Sequence, residues 1–376
     1  MHPDTPLKQN ERWHFFDWLR VIAIGFLFMF HAGMLFVGWG WHIVDGNVVH
    51  ALDLPMDIAH RLRMPLLFVI AGATLWLMLG RRTAWQVAGE RARRLLVPLL
   101  FGMLVVVPPQ IYIESLFRHQ WEGGYLAFYW QRVLQFRPYP QVDFGWHHLW
   151  FIVYLFLYAV LLLPLLAWWR RRRARRPGWW LLLPGLPLGI NEALLKPHFP
   201  ETHNLVSDWY IFNHYALLFV FGFFLAWLPG AWDWLQRYRR RLLGLAVTAT
   251  GVIFSLKAVH VWHNDTRHDA IGACLFTWWW VLVFLGYGKQ WLSFRNRALD
   301  YLGEASYPLY ILHQSVMIVL AWQVIRQPWP WGVKYGVVLF GTLAVSLTIY
   351  EVLVRRFAVT RLLFGMKPLQ SRMRCK

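Results

Sequence analysis

Apolar residues run along this chain in long blocks, separated by short breaks rich in arginine. A helix that crosses a bilayer needs about 20 mostly apolar residues. Ten blocks meet or approach that length, near 14–37, 58–80, 93–113, 148–169, 178–195, 210–229, 242–262, 270–288, 301–325 and 331–354. The fifth is the weakest, because Pro184 and Pro187 interrupt it, although proline is tolerated where neighbouring helices satisfy the freed carbonyls. No polar linker is long enough to separate domains. The pattern predicts an all-α, polytopic membrane helix bundle of about ten transmembrane helices. It forms a single domain over residues 1–376, with short tails.

Charge orients these spans. Placing the N-terminus inside and alternating puts Lys8 and Arg12, the Arg81–Arg94 cluster, the Arg170–Arg176 run, Arg237–Arg241, Lys289, Arg295, Arg297 and a basic C-terminal tail on the inner side. The outer side receives only Arg118, Arg132, Arg137, Lys196, Lys257, Arg267, Arg326 and Lys334. Inner loops enriched in Lys and Arg are the expected signature, so both termini are expected on the cytoplasmic side. Trp39, Trp41, Trp168, Trp169, Trp179, Trp180, Trp329 and Trp331 fall near span ends, as an aromatic belt does.

Composition sharpens this picture. The chain is 58% hydrophobic and only 15% charged, against about 25% charged in soluble domains. Its net charge of +19 does not point to nucleic acid, because the basic residues sit in short loops and not on a soluble face. Two cysteines, Cys274 in an apolar span and Cys375 near the end, cannot build a disulfide framework or a thiolate metal site between them. The N-terminus lacks a compact signal-peptide pattern, so the first span is expected to be retained. The connection 114–147, with Trp121, Tyr125, Phe128, Tyr129 and Trp130, is read as an amphipathic segment on the membrane surface or an interfacial lid.

Ionisable groups inside spans are costly and generally face the bundle interior or a wet cavity. The first span holds Asp17, Arg20 and His31. Asp17 is spaced to pair with Arg20 on one face. At 1.5 Å per residue, His31 lies about 16 Å beyond Arg20, on roughly the same face and close to mid-depth. The second span opens with Arg61-Leu62-Arg63 in its outer third, where topogenic anchoring does not explain them. His313 falls near mid-depth in the ninth span, after Tyr307-Pro308-Leu309-Tyr310. His148 opens the fourth span and is expected towards the outer side. No carboxylate or third histidine shares the His31 and His313 spacing, so no metal is expected there. Glu192, His214 and Glu351 read as structural polar groups.

In this order the residues resemble the acyltransferase 3 family of membrane acyltransferases, especially its glucan-modifying branch. Arg20 and His31 match the arginine and histidine of its first helix, and Arg61 and Arg63 match its R-x-R element. Phe68-Val-Ile-Ala-Gly72 is similar to its F-x-x-S-G stretch, with Ala71 in place of the usual serine. His148-Leu-Trp-Phe151 and Tyr310-Ile-Leu-His313 resemble its later signatures. The resemblance implies transfer of an acyl group, acetyl or succinyl, from cytosolic acyl-CoA to a hydroxyl of an extracytoplasmic glycan or related acceptor.

His31, Arg20 and Arg63 are then the catalytic candidates, and Arg20, Arg61 and Arg63 the donor-binding ones. His313, Tyr310 and His148 would line the acceptor side or cavity. His31 could act as a general base or as a transiently acylated nucleophile. Only about 20 residues follow the last span, so the membrane domain is expected to complete the transfer itself or to hand it to a separate protein. A transporter or flippase for an anionic or sugar-like solute would also bury arginines and histidines, but the chain shows no internal repeat.

Overall fold

The computed structural model describes residues 13–136, 144–258 and 267–368. Lys8, Arg12, Arg137 and Cys375, and the side chains of Lys257 and Arg267, lie outside the described residues. The molecule is all-helical, with no strand among the described residues.

The helices are α1 (His14–Gly33), α2 (Asp53–Leu79), α3 (Ala84–Phe101), α4 (Pro108–Phe117), α5 (Tyr125–Phe128), α6 (Trp150–Leu161), α7 (Leu163–Trp169), α8 (Gly185–Leu195), α9 (Trp209–Trp227), α10 (Ala231–Ala258), α11 (Arg267–Trp291), α12 (Arg297–Val324), α13 (Trp331–Ile349) and α14 (Ala358–Leu363). A π-helical turn at Gly102–Val106 leads α3 into α4, and another at Tyr350–Val354 extends α13.

Each of the ten apolar blocks is helical over most of its length. Among the described residues, six helical stretches are long and apolar enough to cross a membrane, or seven if α6 and α7, bent by 52° at their junction, count as one. The other three blocks are shorter or more polar over their described residues. Pro184 splits 178–195 into a short 3₁₀ turn and the 11-residue α8. The block 242–262 is described only as far as Ala258, the end of α10, and α12 turns Tyr310, His313, Gln314 and Ser315 inward. In a bilayer core only internal hydrogen bonds satisfy the backbone, which is why helix is the sole regular structure.

Small residues set the tightest contacts. α2 packs extensively on α9. There a Cβ on Gly72 would collide with the Phe219 carbonyl, and one on Gly222 with that of Val69. α8 meets α11 through Gly185 and Gly189, whose added Cβ atoms would lie 2.8 Å and 2.5 Å from the Leu275 and Ile271 backbones. Glycines four apart let helix backbones approach closely, and dispersion then replaces the missing hydrophobic drive. The glycine of the Phe68–Gly72 stretch is therefore a packing residue.

Caps fix two entries. Thr83 and Gln86 form a reciprocal capping box on α3, and Asn296 accepts from Leu299 N at 2.8 Å on α12.

The two ends of the bundle differ. At one end Trp13 stacks on Trp76, Arg170 lies over Trp76, and Trp18 bonds the Phe294 carbonyl. There a groove of about 1170 Å³ is lined by Arg81, Arg82, Arg93, Arg94, Arg355 and Lys367, with Glu90 and Glu304 among them. The opposite end holds the α1–α2 connection, pinned by a buried ion pair from Lys334 Nζ to Asp45 Oδ2 at 2.5 Å. The segment after α4 folds back on the bundle: Phe128 is fully buried and Tyr129 bonds the Leu104 carbonyl.

Candidate active site

α1 stops at Gly33, short of residue 37, because the chain turns where Gly33 packs on Met56. His31 therefore lies in the last turn of α1, whereas His313 is midway along α12. The rings of these two histidines face each other, with centroids 5.0 Å apart and planes 7° from parallel. His31 Nδ1 is 2.9 Å from His313 Nε2.

Hydrogen-bond chemistry assigns the protons. His313 Nδ1 lies 2.5 Å from the Tyr310 carbonyl, which can only accept, so Nδ1 carries the hydrogen. In neutral His313, Nε2 is then an acceptor, and His31 Nδ1 must donate to it. The lone pair of His31 is thereby placed on Nε2 (an assignment by network, as histidine tautomers require). A neutral imidazole with a free Nε2 is a proton acceptor by construction.

Other groups surround the pair. His148 precedes α6 in a 3₁₀ turn, where it is buried, and its Nε2 donates to the Ile311 carbonyl at 2.9 Å. Its ring meets His313 edge-on at 5.4 Å, and Tyr310 donates to the His148 carbonyl at 2.6 Å. Trp41 stacks on the His31 ring at 5.8 Å, and Phe28 closes the side of His313 at 5.4 Å. His31 and His313 thus point at one another and at polar groups.

The three candidate arginines separate. Arg63 lies over the Phe30 ring at 3.4 Å, and its charge reaches both His31 and His313. Its Nε and Nη1 are buried with no hydrogen-bond partner. Orphaned guanidinium donors inside a bundle are costly and mark a place for an anion or oxyanion. Arg61, two residues and about 200° around the helix, pairs instead with Asp57 at 3.2 Å and faces Glu192. Arg20 sits towards the basic end, bonded to Asp17 at 3.2 Å and to Thr74. It turns to α2, while His31, three turns on, turns to α12.

Sequence reasoning missed a second polar group beside the first. His42 bonds Glu114, and the Gln314 amide donates to His42 Nε2 at 2.8 Å. The His147 ring lies 5.9 Å from that of His42, and both His147 Nε2 and Gln110 Nε2 are buried without partners. A carboxylate at the outer end of the third apolar block was the available signal.

The chain matches, over residues 13–351, the family described as an acyltransferase domain. It belongs to the acyltransferase 3 family. It is an acyl-transferring membrane enzyme. Two curated relatives, each called glucans biosynthesis protein C, come from Escherichia coli O6:K15:H31 (strain 536) and O139:H28 (strain E24377A). They are 22% and 21% identical, over 96% of this chain and 96% of each relative. No solved structure shows significant similarity.

Proposed function

We propose that this enzyme moves an acyl group, acetyl or succinyl, from cytosolic acyl-CoA to a hydroxyl of a carbohydrate on the far side of the bacterial inner membrane. In this reading the ten helical blocks all lie in the membrane and both termini are cytoplasmic. The observation that carries it is the His31–His313 pair, with Nε2 of His31 unprotonated and Arg63 close by with unpaired donors.

Acyl-CoA carries phosphate charges, and arginine binds phosphate through paired donors. The basic groove at Arg81, Arg82, Arg93 and Arg94 suits the nucleotide end of the donor. Arg20 and Arg91, within electrostatic reach of each other, would draw the thioester arm inward. At the pair, His31 Nε2 takes the acceptor proton as the hydroxyl oxygen attacks the thioester carbonyl. Arg63 Nε and Nη1 are suited to the oxyanion that forms. The carbon–sulfur bond then breaks, and the CoA thiolate regains the proton from His31, giving ester and CoA-SH. His313 keeps His31 in the productive tautomer and stabilises its charged form. The relatives' name, glucans biosynthesis protein, favours a glucan-type acceptor.

The test supplies radiolabelled acetyl-CoA or succinyl-CoA to inverted membrane vesicles containing the enzyme and measures label in the glycan fraction. Enzyme-dependent labelling is expected. Movement of solute across the vesicle wall without CoA release would replace this reading with transport.

A further inference from the structure

α8 poses a structural problem, because an 11-residue helix after a proline break cannot cross a bilayer alone and depends on its contacts with α9 and α11. At the contact, Glu192 of α8, His214 of α9 and Cys274 of α11 bring one ligand atom each within 4.8 Å of one another. All three are buried, at 4%, 7% and 2% exposure. Cys274 Sγ lies 3.2 Å from Glu192 Oε2. His214 Nδ1 is buried and has no hydrogen-bond partner.

We propose that Glu192, His214 and Cys274 form a structural binding site for a thiophilic divalent cation of the zinc class, separate from the His31–His313 pair. One thiolate, one imidazole and one carboxylate are a donor set that zinc accepts, with bond lengths of about 2.0–2.3 Å. Donor atoms around a tetrahedral ion of that size are about 3.3–3.7 Å apart, so the cluster needs to close by about an ångström. Cys274 already meets that spacing with Glu192. Binding replaces the Cys274 S–H with a sulfur–metal bond and releases one proton to solvent.

Two cations face the cluster, one paired outside it and one with the ligand Glu192. Arg61 pairs with Asp57 at 3.2 Å. Lys196 holds Glu192 Oε1 at 2.8 Å, leaving Oε2 to the ion and orienting the carboxylate as outer partners of metal ligands do. The ion would tie α8 to α9 and α11 beside the Gly185 and Gly189 contacts, where the helices already touch.

The test does not depend on the acyl-transfer reading. The full-length protein, purified in detergent and loaded with zinc sulfate, is washed in metal-free buffer and analysed by elemental mass spectrometry. About one zinc per chain is expected, falling at least about 10-fold in Cys274→Ala and in His214→Ala. Cobalt loading of the unaltered chain should give a thiolate-to-cobalt absorption band in the near ultraviolet, which needs no variant to fold. Zinc well below one per chain, a cobalt spectrum without that band, or variants that hold as much zinc as the unaltered chain would overturn the site.

Discussion

His31 Nδ1 and His313 Nε2, 282 positions apart in sequence, meet at 2.9 Å with their rings nearly parallel. Because the Tyr310 carbonyl fixes the proton on His313 Nδ1, this single contact determines which nitrogen of His31 is free. The site's chemistry follows from that relationship, and so do tests of it.

His313 acts through His31, so its replacements should separate by hydrogen-bonding capacity. His313→Gln offers an amide oxygen to the His31 Nδ1 hydrogen, whereas His313→Phe offers none. We expect the phenylalanine variant to lose about 10²–10⁴-fold in kcat, with the glutamine variant between it and the wild type. Steady-state CoA release with saturating donor measures the difference. Equal rates in both variants would remove the tautomer argument.

Arg63 should trade stability for activity. Its buried Nε and Nη1 lack hydrogen-bond partners, so Arg63→Met removes a buried charge whose donors are unsatisfied and should raise the thermal unfolding midpoint in detergent. The same change should lower kcat by about 10²–10³-fold, the range for loss of an oxyanion donor. Arg63→Lys keeps the charge without the planar fork and should recover only part of the rate.

The α1–α2 connection depends on Lys334 and Asp45, whose side chains are 7% and 2% exposed. Lys334→Met leaves a buried carboxylate without its counter-ion and should cost about 3–5 kcal/mol. The double change Lys334→Met with Asp45→Leu should recover part of that loss. Chemical denaturation monitored by tryptophan fluorescence gives both values. Additive losses would show that the two side chains are not coupled.

Gly72→Val should fail to give folded protein, because its Cβ meets the Phe219 carbonyl and a backbone atom cannot move aside cheaply. Overpacking by side-chain atoms costs about 1–3 kcal/mol, and a backbone collision costs more. Gly25→Ala is the control, since nothing lies within 4 Å of its Cβ position. Size-exclusion profiles in detergent distinguish the two.

Much of this site was legible from the chain, for a physical reason. Imidazole and guanidinium groups inside apolar blocks are expensive, so His31, His313, Arg20 and Arg63 stood out. Residues two apart lie on different helix faces, so Arg61 and Arg63 meet different neighbours, Asp57 and Phe30. What could not be read were contacts between distant segments. Nothing in the sequence joins His42 to Glu114, or Glu192 to His214 and Cys274, because helix packing creates those groupings. Among the described residues, six helical stretches are long and apolar enough to span, or seven with the bent α6–α7 pair. The polar residues that disqualify α12 by composition are the ones it turns towards the site.

The most direct test is the initial rate of CoA release from acetyl-CoA and succinyl-CoA by the purified protein with acceptor glycan, wild type against His31→Ala. The account predicts that the variant elutes as folded protein and turns over about 10²–10⁴-fold more slowly. A folded His31→Ala enzyme releasing CoA at the wild-type rate would contradict it.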